Sequence, residues 1–240
     1  VIAMENSPVA YSSLPWEWEQ DDRPEFKELR LRENLDTVVA GCINEFSAQV
    51  KLLDYATRRW RWVSPFPEYP TWDAFSILRH INMNGGGGMC GQYNLFLAGL
   101  CMAYGWQARM VNIDGHEVCE VWNDDYGKWI YIDASGLNHY LYDAESVQPL
   151  SLLDVHERYL DTFNKGATID WTSGETGKKN ITDVTTTSVR IGSLTDLQVT
   201  NIIGLCNGSH IRLVPRTNWL GKPTPRPLNH GASLWPWNGY

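Results

Sequence analysis

Apolar residues recur with helical spacing from Glu25 to about Arg59, at Leu35, Val38, Val39, Cys42, Ile43, Phe46, Val50 and Leu53. This pattern predicts one long amphipathic helix, or two with a break near Gly41. The segment Val63 to Pro70 holds three prolines and reads as a loop. Thr71 is placed to cap a short helix carrying Trp72, Phe75 and Leu78. Asn82 to Gly88 is a loop ending in four glycines, and a helix from about Cys90 to Tyr104 follows, closed by Gly105.

The period then changes from helical to alternating. Strands are predicted at Gln107 to Ile113, at Glu117 to Trp122 with His116 at its start, and at Lys128 to Asp133; Asn123 to Gly127 turns the last two into a hairpin. Residues 134 to 165 read as irregular, with a helix near Leu152 to Phe163. Residues 1 to 24, rich in Pro, Ser and Trp, read as an extended arm on the core, and the last twenty residues as Pro- and Trp-rich coil. Beyond Gly166 the composition shifts to Thr, Ser, Gly and Asn, with alternating stretches at 188–194 and 210–215 that suggest a few strands. Two units are therefore expected: a catalytic domain over 1–165 and a β-rich C-terminal extension over 166–240.

The chain has 240 residues and 43% hydrophobic content, enough for one substantial core with a smaller appended unit. Its formal net charge of -8, without clustering of basic residues, argues against nucleic acid and against anionic membrane surfaces as partners. No apolar run reaches the length of a membrane span. The chain starts at Val1 and shows no charged segment followed by an apolar stretch, which reads as a mature or trimmed form and suggests a secreted or cell-envelope location. Five cysteines, at 42, 90, 101, 119 and 206, match no metal-ligand spacing, so no metal and no cofactor are expected; four of them could form two disulfides or none. Asn180 and Asn207 open Asn-x-Ser/Thr patterns. Twelve tryptophans include the close pairs Trp16 and Trp18, Trp60 and Trp62, and Trp235 and Trp237. They serve either as packing or as a stacking surface for sugars or aromatic substrates.

Three residue types that thiolate chemistry requires fall within this pattern. Cys90 opens a helix, where the positive end of the dipole favours thiolate and its own N–H can join an oxyanion hole. The glycines before it allow close backbone approach to a substrate. His116 and Asp133 lie on the two arms of the hairpin. A two-residue turn at Asp124 and Asp125 sets His116 opposite Asp133; a four-residue turn from Asp124 to Gly127 sets it opposite Ser135. Either register leaves His116 and Asp133 on one face. The carboxylate can then hold the imidazole's tautomer while the other ring nitrogen faces the thiol. Cys101 and Cys119 read as core cysteines. The acidic residues Glu117, Glu120, Asp124 and Asp125 read as solvated.

The segment from Gly88 to Ser135 resembles the core of the transglutaminase-like superfamily. The family's Gly-x-Cys reads here Gly88-Met89-Cys90, and the helix-ending Gly with its Ala-Arg strand reads Gly105-Trp106-Gln107-Ala108-Arg109. Its His-Ala-Trp-Val-Glu-Val reads His116-Glu117-Val118-Cys119-Glu120-Val121, and its Gly-Trp-x-x-x-Asp-Pro-Thr reads Lys128-Trp129-Ile130-Tyr131-Ile132-Asp133-Ala134-Ser135. Glu117-Val118 thus replaces a small residue and Trp, and Ala134 replaces Pro.

The resemblance implies an α+β papain-like core, with the catalytic Cys at a helix N-terminus packed on an antiparallel sheet. It implies a Cys90-His116-Asp133 triad and acyl transfer at an amide through a thioester. It also implies a second oxyanion donor upstream, for which Asn84, Asn82 and Trp72 are candidates, with Gln92 behind them. The expected substrates are peptides, glycopeptides or polysaccharide-linked amides, with protease, peptide N-glycanase and transglutaminase types all open. A carbohydrate-active or carbohydrate-binding protein on a Trp-rich surface, and a non-catalytic interaction module, are the alternatives.

Overall fold

The computed structural model describes residues 23–65, 69–84, 87–113, 116–135, 139–143, 146, 148–155 and 157, together with short strands at 172–175, 188–190 and 211–213. The readings made above for residues 1–22 and for the last twenty residues, and the glycosylation patterns, lie outside this set.

The helical region before the glycine loop is more finely divided than its periodicity predicts. It forms α1 (Pro24–Arg32), α2 (Leu35–Val38) and α3 (Glu45–Thr57). Asn34 takes a positive φ of 51° and Gly41 one of 80°, and neither conformation continues a right-handed helix. Asn44 then restarts the chain: its side chain accepts from Ser47 N at 2.8 Å, and Ser47 Oγ accepts from Asn44 N at 3.2 Å. This reciprocal cap lets α3 begin where the apolar period alone shows no boundary. Helix α4 (Ala74–Asn84) is capped by Asp73, whose Oδ2 accepts from Ser76 N at 2.8 Å. The cap therefore falls two residues after Thr71, and the helix runs on into the residues read as loop. Helix α5 (Cys90–Ala103) ends against Gly105, which adopts φ 90°.

Every residue of α5 after Cys90 is buried. Such a helix is enclosed on all sides, here by α1, α3 and α4 and by the sheet. The sheet is antiparallel. Its strands are β1 (Ala108–Ile113), β2 (His116–Asn123), β3 (Lys128–Asp133), β4 (His139–Asp143), β5 (Gln148–Pro149), β6 (Thr172–Glu175), β7 (Ser188–Arg190) and β8 (Ile211–Leu213). Their order is β7-β6-β4-β3-β2-β1-β8, with β5 paired to β4. Met110, Cys119 and Ile132 lie in register across β1, β2 and β3 and join the core shared with α5. The chain is thus α+β, with one helix buried against an antiparallel sheet.

Two differences from the expected pattern stand out. Strands β4 and β5 occupy residues read as irregular. Tyr140 and Leu141, adjacent in sequence, are both buried, so β4 lacks the alternation that marks a half-exposed strand. The β2–β3 turn takes the longer of the two registers: Asn123 pairs with Lys128, leaving Asp124 to Gly127 as a four-residue turn with Gly127 at φ 61°.

Candidate active site

Cys90 is the first residue of α5, following Met89 in extended conformation. The start of this helix is fixed by Gln92, whose Oε1 accepts from Met89 N at 2.9 Å, and by the glycine segment in front of it. Gly88 N donates to Arg61 O and Val63 N donates to Gly88 O, forming a bridge between residues 62 and 88. A Cβ on Gly88 would lie 2.4 Å from Trp60 Nε1 and 2.9 Å from Gln92 Cβ, and one on Gly87 would lie 1.9 Å from Val63 Cγ1. The close approach that requires these two glycines is therefore to the chain's own residues 60–63.

His116 opens β2 and Asp133 ends β3, so both sit at one end of the sheet. His116 Nε2 lies 2.8 Å from Asp133 Oδ2. The ring's other nitrogen, Nδ1, is left for the thiol, and the Cys90 side chain interacts with the imidazole. The structure thus brings together the three residues singled out by the sequence.

A residue not singled out joins them. Asn94, one turn after Cys90, is fully buried. Its Nδ2 donates to Asp133 Oδ1 and to Glu117 O, both at 2.8 Å, and its Oδ1 accepts from Ala134 N at 2.8 Å. Asn94 therefore ties helix, β2 and β3 at the point where Cys90, His116 and Asp133 meet. Its sequence signal was available: it shares a helix face with Cys90 by the i, i+4 rule, and it is polar at the head of the apolar run Leu95 to Leu100. Ser135 adds two further donors to Asp133 Oδ1, from N at 2.9 Å and from Oγ at 2.6 Å.

Glu117 corrects an expectation directly. It is not solvated: it is 2% exposed, and the Cys90 thiol donates to its Oε2 at 3.1 Å. Strand alternation explains why. Glu117 shares the face of Cys119 and Val121, the face that packs on α5, and a carboxylate there reaches the start of that helix. Glu120 is likewise buried, paired with Arg109 at 2.7 Å and accepting from Leu152 N. Asp124 and Asp125 are exposed, as read.

The electrostatics follow from these contacts. Burial works against a charged imidazole, but the charge and hydrogen bond of Asp133, with Cys90 adding to them, raise the His116 pKa to about 10. For Cys90, burial and the Glu117 charge push the thiol's pKa up, against the lowering pull of the His116 hydrogen bond. Desolvation and a neighbouring carboxylate thus act against the lowering expected from the helix dipole and the imidazole. Cys101 and Cys119 are fully buried thiols pushed further up by burial. Cys42, Cys90, Cys101 and Cys119 are all free, and Cys206 lies outside the described residues.

The oxyanion candidates are spread apart. Asn82 is exposed and lines a groove with Arg32, Phe75 and Arg79. Trp72 is buried close to Cys90, 3.5 Å from where a Cβ on Gly91 would lie, and its Nε1 donates to Tyr69 Oη at 3.4 Å. The Asn84 side chain lies outside the described residues. Two buried N–H groups beside Gly88 have no acceptor among the described residues: Trp60 Nε1 and Gln92 Nε2. Of the tryptophans on the segment beside Cys90, Trp60 packs on Tyr93 and Phe96, and Trp72 is in the core. Trp62, stacked on Tyr93, is 49% exposed. No group of His, Cys, Asp and Glu among the described residues could hold a metal ion, and no helix among them is long and apolar enough to cross a membrane.

No protein-family model matches the chain, and no curated protein does. Among solved structures, an inferred cysteine protease from Cytophaga hutchinsonii is similar over 49% of this chain at 17% identity, with a TM-score of 0.38. The similar region covers 41% of that protein.

Proposed function

We propose that this protein is a cysteine-dependent hydrolase that cleaves an amide through a thioester on Cys90. The observation that carries the reading is the convergence, at the start of α5, of the Cys90 thiol with an imidazole held 2.8 Å from a buried carboxylate. A nucleophile, an acid–base group and the group that orients it are the parts that covalent acyl transfer needs.

In the proposed reaction the Cys90 S–H bond breaks, its proton leaves through the Glu117 carboxylate in contact with it to solvent, and the sulfur, keeping the electron pair, attacks the carbonyl carbon. The developing oxyanion faces the Cys90 N–H, which as part of the first helical turn has no partner within the helix. His116, protonated and hydrogen-bonded to Asp133, gives a proton to the leaving nitrogen, and the amine departs. The neutral imidazole then takes a proton from water, hydroxide adds to the thioester, and the acid is released with sulfur restored. Asp133 keeps Nε2 engaged throughout, so Nδ1 is the nitrogen that moves protons. Peptides, glycopeptides and cell-wall amides are the proposed substrates.

The test is turnover of peptide, glycopeptide and polysaccharide pools by the wild type and by Cys90→Ala. The expected result is cleavage by the wild type and a loss of roughly a thousandfold or more in the variant, with an acyl adduct on Cys90 trapped by acid quench and read by mass spectrometry. Cleavage retained by Cys90→Ala would overturn the mechanism.

A further inference from the structure

Where the resemblance expects a small residue beside the histidine, this chain has Glu117. A buried carboxylate in contact with a nucleophilic sulfur is costly to place, and its position is well determined. Its backbone oxygen accepts from Asn94 Nδ2 at 2.8 Å, which locks this part of β2 to α5. Its Oε2 lies 3.1 Å from Cys90 Sγ and 3.4 Å from where a Cβ on Gly91 would project, so the carboxylate rests over the first turn of the helix. Tyr69 Oη lies 3.0 Å from the same point. Among the described residues, the titratable groups around Cys90 are therefore His116 and Glu117 from β2, Asp133 of β3 behind His116, and Tyr69 from the segment before α4.

Two of these act on the sulfur with opposite sign. The His116 imidazolium favours a negative sulfur. The Glu117 carboxylate accepts the S–H proton in a hydrogen bond that exists only while the sulfur is protonated, and its charge repels a thiolate at the same distance.

We propose that Glu117 is a fourth residue of this site and acts as a lock on the nucleophile, holding Cys90 as a thiol at rest. For attack, the S–H bond breaks and its proton crosses the 3.1 Å contact to Glu117 Oε2 and then passes to solvent. The electron pair stays on sulfur, which becomes a thiolate paired with the His116 imidazolium. The resting site is thus guarded against electrophiles and peroxide, which react with thiolate far faster than with thiol. The lock bears on the same sulfur that the proposed hydrolysis uses, but its test requires no amide to be cleaved.

The test has two readouts. The rate of Cys90 alkylation by iodoacetamide, followed by mass spectrometry against pH, is compared between wild type and Glu117→Gln, with Glu117→Ala as a second variant. The expected result is a profile shifted to lower pH by about one unit or more, which makes alkylation at pH 7 roughly tenfold faster or more. A profile that stays in place or moves to higher pH overturns the lock. The second readout needs no Glu117 variant: the S–H stretching band of Cys90, taken as the infrared difference between wild type and Cys90→Ala at pH 7. A Cys90 S–H band supports the lock, and its absence overturns it. If no amide is hydrolysed but both results hold, the proposed function fails and the lock stands.

Discussion

Hydrogen bonds from His116 Nε2, Asn94 Nδ2, Ser135 N and Ser135 Oγ converge on the Asp133 carboxylate. Asn94 differs from the others because it also holds Glu117 O and Ala134 N, so it sets the distance between α5 and both hairpin arms. Asn94→Ala leaves the buried Ala134 N–H without its acceptor, which costs about 1–3 kcal/mol. It also frees Asp133, and with it the imidazole, to shift against the thiol. The expected outcome on a cleaved substrate is a fall in kcat on the order of 10- to 100-fold with KM nearly unchanged. Urea denaturation and steady-state kinetics check the two parts separately. A stability loss with kcat intact would make Asn94 a structural brace only. The clustering of Cys90, His116 and Asp133 was legible in the sequence because their order and their hairpin parity are local properties. Glu117 was misread because a carboxylate is usually solvated, although the parity that aligned His116 with Asp133 also placed Glu117 on the helix-facing side.

At the scale of elements, the junction between the glycine segment and α5 is the most exacting. The sequence shows four glycines before a helix but not what they approach. The partners are Trp60 and residues 61–63, some twenty-five positions earlier, and a contact over that separation has no local signature. Gly88→Ala tests its tightness. The new methyl group would meet Trp60 Nε1 at 2.4 Å and Gln92 Cβ at 2.9 Å, and neither is the free end of a flexible chain. A cost of roughly 1–3 kcal/mol is expected from overpacking, with a loss of turnover as the start of α5 shifts. Thermal unfolding of the variant beside wild type measures the first. An unchanged midpoint would mean that the 60–63 segment yields easily. Helix α5 and strands β1 to β3 were legible because each has one clear period bounded by turn chemistry. The break near Gly41 was one of the two readings the sequence offered, whereas the one at Asn34 was blurred because apolar residues continue through it, and β4 because both its faces are covered.

For the whole molecule, the buried His116–Asp133 pair links folding to pH. Unfolded, the imidazole titrates near 6.5; folded, it is raised to about 10. A raised folded pKa means that the native state holds a proton the unfolded chain has lost. The stabilisation is therefore complete below pH 6.5 and declines as pH rises toward 10, by at most about 1.4 kcal/mol per pH unit for one group. Other groups act in the same direction only at higher pH. The buried Cys101 and Cys119 thiols are raised from an ordinary value of 9, and Tyr55 and Tyr93 from 10 to about 12, so they begin to matter above pH 8.5. Among the described residues, the slope between pH 6.5 and 8.5 therefore belongs mainly to His116. Urea midpoints for wild type are expected to fall across this window. Asp133→Asn removes the charge that raises the imidazole and should flatten the fall, even though the variant is less stable at pH 6.5. Parallel slopes for the two proteins would mean that His116 is neutral in the native state, and the proton proposed for the leaving nitrogen would then have to come from elsewhere.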